Sequence, residues 1–132
     1  LRKTNIEVIP TAYLLIDSGE QTTATYISNS QPIPANKSEI AACTALAGEY
    51  MGMSLIYLDG GSGAKNPVSA EMIAKVKSYT QNPLIIGGGI NNIEKAKSAY
   101  EAGADVIVVG NAIEQNPSFC IALGELISEF NS

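Results

Sequence analysis

Short apolar runs alternate with helical patterns along the whole chain. The first run lies within residues 7–17, with Pro10 at a bulge or an edge. Residues 18–36 then show no period and hold Gly19, Pro32 and Pro34. A connection of that length reads as a binding loop, a lid or a disordered stretch. A helix is predicted over 37–51, stopped at Gly52, and a strand over 55–58. Ser69 caps a helix over 70–79. A strand over 84–86 follows Pro83, and Asn92 and Gly103 bracket a helix over 93–102. A fourth strand covers 105–109, and Pro117 at the first helical position opens a last helix that runs to about residue 130. The strands are nearly continuous apolar runs, as expected of parallel strands covered on both faces. Strict alternation of strand and helix predicts an α/β fold.

The ends of three strands carry the most information. They are Leu55-Ile56-Tyr57-Leu58-Asp59-Gly60-Gly61-Ser62-Gly63, Leu84-Ile85-Ile86-Gly87-Gly88-Gly89-Ile90 and Val106-Ile107-Val108-Val109-Gly110-Asn111. Each apolar run ends in glycine and leads into a helical pattern. Glycine lets backbone approach a ligand closely, and a helix start offers N–H groups to an anion. The same arrangement on neighbouring parallel strands builds one phosphate pocket from several loops. Four βα units amount to half of a (β/α)8 barrel, a TIM-barrel type of fold in which phosphate sites form after strands 7 and 8. Numbering these units five to eight places the Gly88 and Gly110 loops there. The whole of 1–132 is therefore read as one C-terminal half-barrel. An open four-stranded parallel sheet leaves two edges and a half-covered interior, which favours a preceding half or self-association into a homo-oligomer. The start, Leu1-Arg2-Lys3-Thr4, has no Met and reads as the end of an earlier element.

Composition narrows the partners. An apolar fraction of 45% supports a real core. The net charge of −5, with no basic run, argues against nucleic acid. Few lysines lie near the glycine loops, so backbone amides must hold most of a phosphate's charge. The absence of histidine removes histidine-based triads and bases. Cys43 and Cys120, far apart in helical patterns, read as small reduced core residues. No signal peptide is visible, and no apolar run nears the ~20 residues of a membrane span. A cytoplasmic protein is expected, with room for peripheral membrane contact.

Tyr57 and Asp59 lie two apart on a strand and so share a face. Asp59 reads either as a carboxylate that orients or deprotonates a substrate hydroxyl, or as a turn aspartate. Gly60-Gly61-Ser62-Gly63 reads as a ligand loop or a flexible turn. Gly87-Gly88-Gly89 weakens a strand entropically, which implies that a ligand or backbone comes close. Asp17 reads as a turn cap ahead of a ligand contact, Tyr13 as core or pocket wall, and Tyr26 and Ile27 as loop packing ahead of the lining of an apolar groove. Glu94, Lys95 and Glu101 read as a solvated helix face.

At these residues the chain resembles the geranylgeranylglyceryl phosphate synthase family, which includes the heptaprenylglyceryl phosphate synthases. The resemblance rests on Tyr57-Leu58-Asp59-Gly60-Gly61-Ser62-Gly63-Ala64, Gly87-Gly88-Gly89-Ile90, Val108-Val109-Gly110-Asn111-Ala112 and the run from Ile9 to Gly19. It covers essentially the whole chain. It implies a (β/α)8 barrel and a prenyltransferase. The enzyme joins a prenyl diphosphate, geranylgeranyl here, to the C3 hydroxyl of sn-glycerol 1-phosphate and so makes an ether-lipid precursor. It also implies Mg²⁺, with ligands in barrel strands outside this chain. Carried over by position, Tyr57, Leu58, Asp59, Gly60, Gly61, Ser62, Gly63, Gly88, Gly89, Gly110 and Asn111 bind glycerol phosphate, with Asp59 as the base. Asp59 stands where many relatives carry Glu, and Gly60 where Ala is common. Two alternatives remain: another phosphate-ligand barrel enzyme, and a non-catalytic phosphate-binding half-barrel.

Overall fold

Four parallel strands lie side by side in chain order in the computed structural model, which describes residues 3–19 and 23–130. They are β1 (Thr11–Leu15), β2 (Leu55–Asp59), β3 (Leu84–Gly87) and β4 (Val106–Val108). The helices are α1 (Thr23–Ser28), α2 (Ser38–Tyr50), α3 (Ala70–Tyr79), α4 (Ile93–Glu101), α5 (Asn111–Gln115) and α6 (Phe119–Phe130). The register pairs Leu15 with Asp59, Asp59 with Gly87, and Gly87 with Val108. The last residues of β2, β3 and β4 thus form one row, and the glycine loops leave the sheet side by side.

Strand alternation sorts the side chains. Ile56, Leu58, Leu84 and Ile86 are fully buried with Met72, Ile73 and Val76 of α3. Each such side chain contributes about 1.5–3 kcal/mol by leaving water. The other face carries Tyr13, Tyr57, Ile85 and Val106 in one row. Tyr13, Val106 and Val108 are each more than 40% exposed. Among the described residues helices layer one face only, which is the half-covered interior expected of an open four-stranded sheet and not the cover on both faces suggested by the apolar runs. Apolar residues recur on both faces, so the pattern alone did not show which face lacks a cover.

The predicted caps form. Ser69 Oγ accepts the Met72 N–H at 3.2 Å and Asn92 Oδ1 the Lys95 N–H at 2.9 Å. After α4, the Gly103 N–H donates to Tyr100 and the Ala104 N–H to Ala99, a Schellman closure. Three local readings change. First, the stretch read as irregular holds α1, and Ile33 bridges Ile16. Pro34 biases Ile33 towards extended backbone, and Ile33 exchanges hydrogen bonds with Leu15 and Asp17. Residues 20–22 of that stretch lie outside the described residues. Second, the last helix forms as α6, with Pro117 in the turn before it and not at its first position, and a five-residue helix α5, too short for a visible period, precedes it. Third, Cys43 and Cys120 are free and exposed, not core. On α2 the buried stripe runs through Ser38, Ala41, Ala42 and Ala45, and Cys43 falls off it. No helix among the described residues is long and apolar enough to cross a membrane.

Asp105 ties β4 to its neighbours. Its Oδ2 accepts the Leu84 N–H at 2.7 Å and Lys77 Nζ at 2.6 Å. Burial pushes its carboxyl up, but the Lys77 and Leu84 hydrogen bonds and the Lys77 charge outweigh that and hold it below the ordinary 3.8. A lowered folded value adds stability that is present above the ordinary value and is lost as pH falls through the lower one. Asp105→Asn is expected to cost about 1 kcal/mol at neutral pH, discounted for solvent exposure. Urea unfolding at pH 7 and pH 3 checks this, with the difference between variants shrinking at the lower pH.

Candidate active site at the glycine loops

The aligned strand ends open onto a cleft of about 400 Å³. Tyr57, Asp59, Gly61, Ser62, Gly63, Gly88, Gly89, Gly110 and Asn111 line it, from all three loops. Ala64, Ile90, Asn91, Val108, Ala112 and Gln115 complete the wall, and no lysine or arginine lines it among the described residues. Two predicted residues stand apart. Leu58 points to the helix side and is fully buried in the core, the necessary consequence of Tyr57 and Asp59 facing the cleft. Gly60 is buried and spends its N–H on the Gly87 carbonyl at 2.9 Å.

The Gly87-Gly88-Gly89 run is explained by protein contacts. A side chain on Gly87 would strike the Tyr57 ring, with Cε2 at 2.8 Å. One on Gly88 would meet Gly61 N and O at 2.8 Å, and one on Gly89 would meet Pro67 N at 2.7 Å. Gly88 and Gly89 also have φ of +87° and +71°, a region that side chains disfavour. The β3 loop is therefore pressed against the β2 loop, and the close approach is backbone on backbone. Lys95 belongs to this arrangement and not to a solvated face. Its Nζ donates to the Gly89 carbonyl at 3.2 Å and to Asn91 Oδ1 at 2.9 Å.

Ser62, Gly63, Gly88 and Gly89 bring their backbone N–H groups to the loops that line the cleft. Such N–H groups at a cleft lined by glycine suit an anion. Ser62 Oγ and Asn111 Oδ1 stand 3.5 Å apart and span the β2 and β4 loops.

Asp59 sits at the base of the β2 loop, 9% exposed. The turn reading holds. Oδ1 accepts the Gly61 N–H at 2.7 Å and shapes the turn, while the carboxylate edge lines the cleft. Its Oδ2 accepts the Tyr13 hydroxyl. Burial and the Asp59 charge raise the Tyr57 phenol above its ordinary value. Burial, the Asp59 hydrogen bond and the Asp59 charge raise that of Tyr13 further. Both phenols therefore stay protonated as hydrogen-bond donors well above neutral pH. The link from Tyr13 to Asp59 was missed in the sequence, since the two are 46 residues apart and only the β1–β2 register joins them. Asp17 Oδ1 accepts the Gly19 N–H at 2.9 Å, the expected turn cap.

A model of the PcrB family matches residues 1–127. The chain belongs to the PcrB family. It is 53% identical over 131 residues to a geranylgeranylglyceryl phosphate synthase of Spirosoma linguale, covering 99% of this chain and 53% of the relative. With the enzyme of the same name from Thermococcus gammatolerans it shares 49% identity, covering 100% of this chain and 51% of the relative. The chain thus spans about half the length of these curated relatives. Among solved structures it is similar to (S)-3-O-geranylgeranylglyceryl phosphate synthase from Thermoplasma acidophilum in complex with substrate sn-glycerol-1-phosphate. That match has 37% identity and a TM-score of 0.84, over 92% of this chain and 49% of that one. The wild-type enzyme from Thermoplasma volcanium gives 40% identity and a TM-score of 0.83, over 94% of this chain and 49% of that one. The PcrB-family half-barrel of four βα units is thereby shown, with the cleft at the carboxyl ends of its strands.

Proposed function

We propose that this chain carries the acceptor half of a prenyltransferase site, which binds sn-glycerol 1-phosphate and readies its C3 hydroxyl for attack on geranylgeranyl diphosphate. The observation that carries the reading is the row of strand ends that sets Asp59 beside a cleft lined by glycine N–H groups. The relative from Thermoplasma acidophilum, solved with sn-glycerol-1-phosphate, supports the choice of acceptor.

The residues divide the work. The N–H groups of Ser62, Gly63, Gly88 and Gly89 take the phosphate, compensating for the lack of a lysine or arginine in the wall. A phosphate gripped there leaves the glycerol carbons directed at the carboxylate. The Asp59 carboxylate accepts the C3 hydroxyl proton as the oxygen bonds to C1 of the prenyl chain and the C1–diphosphate bond breaks. Positioning and exclusion of water lower the barrier further. The prenyl chain runs past the segment between β1 and α2, where Tyr26 and Ile27 stand exposed. Among the described residues no group of three or more Asp, Glu, Cys or His side chains gathers to hold a metal ion. The resemblance places the ligands of Mg²⁺ outside this chain, and the proton and bond steps above use no metal ion.

Calorimetric titration with sn-glycerol 1-phosphate and its 3-phosphate enantiomer tests the reading. The 1-phosphate is expected to bind about tenfold tighter or better, a difference of about 1.4 kcal/mol. Equal affinities would mark a generic phosphate pocket, and binding of neither would end the assignment.

A further inference from the structure

Tyr13 does not line the cleft, yet it donates to the group on which the chemistry depends. Its hydroxyl reaches Asp59 Oδ2, while the Gly61 N–H holds Oδ1 at 2.7 Å. One donor comes from β1 and the other from the loop after β2, so each carboxylate oxygen is pinned from a different element. A short side chain with both oxygens pinned has no free torsion. The Tyr13 ring is itself fixed, edge-on to Tyr57 with centroids 5.1 Å apart and planes at 81°. Tyr57 in turn fills the space that Gly87 leaves empty. A chain of contacts thus runs from the β3 loop through both tyrosines to the carboxylate.

We infer that Tyr13 is a positioning residue: acting through Asp59, its hydroxyl holds the carboxylate in the orientation that accepts the acceptor's proton. The inference rests on the reading of the cleft as the glycerol phosphate site. A buried carboxylate needs its hydrogen bonds satisfied, and here two donors bring themselves to it.

The test is a kinetic double-mutant cycle of Tyr13→Phe and Asp59→Asn in the chain as its organism makes it, with sn-glycerol 1-phosphate and geranylgeranyl diphosphate. Phe keeps the ring against Tyr57, and a thermal melt of each variant reports any loss of fold. Tyr13→Phe is expected to lower kcat about 10–100-fold with the acceptor KM changed less than about threefold, because orientation and not phosphate binding is lost. In the Asp59→Asn background the same change is expected to move kcat by less than about twofold, since nothing remains to be positioned. Wild-type kcat in Tyr13→Phe would overturn the inference, as would an equal loss in both backgrounds, the mark of a purely structural role. A wild-type chain that neither binds nor converts the acceptor would instead overturn the glycerol phosphate reading, and this inference with it.

Discussion

Replacing Asp59 by Asn is expected to lower kcat roughly 10²–10⁴-fold, the usual contribution of a positioned general base. The amide keeps the size of the carboxylate, and its oxygen can still accept from Tyr13 or from Gly61, the two donors Asp59 holds now. What it loses is the capacity to take a proton. The phosphate grip lies in the Ser62–Gly63 and Gly88–Gly89 loops, so the acceptor KM should move far less than kcat. Steady-state kinetics in the chain as its organism makes it, paired with calorimetry on the acceptor, separate the two effects. A kcat within about threefold of wild type would remove Asp59 from the chemistry and leave it only the turn.

Replacing Gly88 by Ala is expected to destabilise the fold at the cleft strongly. A residue with a Cβ at φ +87° pays about 1–2 kcal/mol for left-handed backbone. The new methyl would also sit 2.8 Å from Gly61 N and O, where the neighbour is backbone and cannot swing away. Overpacking of that kind costs about 1–3 kcal/mol more, for a total of about 2–5 kcal/mol. Gly63→Ala supplies the comparison. Gly63 has φ +75° but nothing within 4 Å of the added methyl, so it should lose only the backbone part, about 1–2 kcal/mol. Denaturant unfolding of the two variants isolates the close approach, and equal losses would mean that the β2 and β3 loops are not pressed together in solution.

Much of this arrangement was legible in the residues. The caps at Ser69 and Asn92 were legible because a side-chain oxygen and the N–H it serves are three residues apart. The same locality made the Gly-ended strands legible. The reading of Gly87-Gly88-Gly89 as a place of close approach held, but what approaches is Tyr57, Gly61 and Pro67. Glycine reports that space is needed and is silent on who fills it. Lys95 went unseen because a lysine at the start of a helix looks the same in sequence whether its amine meets water or the Gly89 carbonyl.

Local chemistry therefore determined the order of elements, their caps and the glycine loops, since each depends on residues a few positions apart. The sheet register decided the rest. By setting Asp59 level with Gly87, and Tyr13 beside Tyr57, it lined up the glycine loops and brought Tyr13 of β1 to the carboxylate of β2. It also decided which sheet face lacks a helical layer among the described residues, a choice the repeated apolar runs could not reveal. Pairing between distant strands is fixed only when the whole apolar face packs at once, because a slip of one residue would turn every side chain to the wrong face.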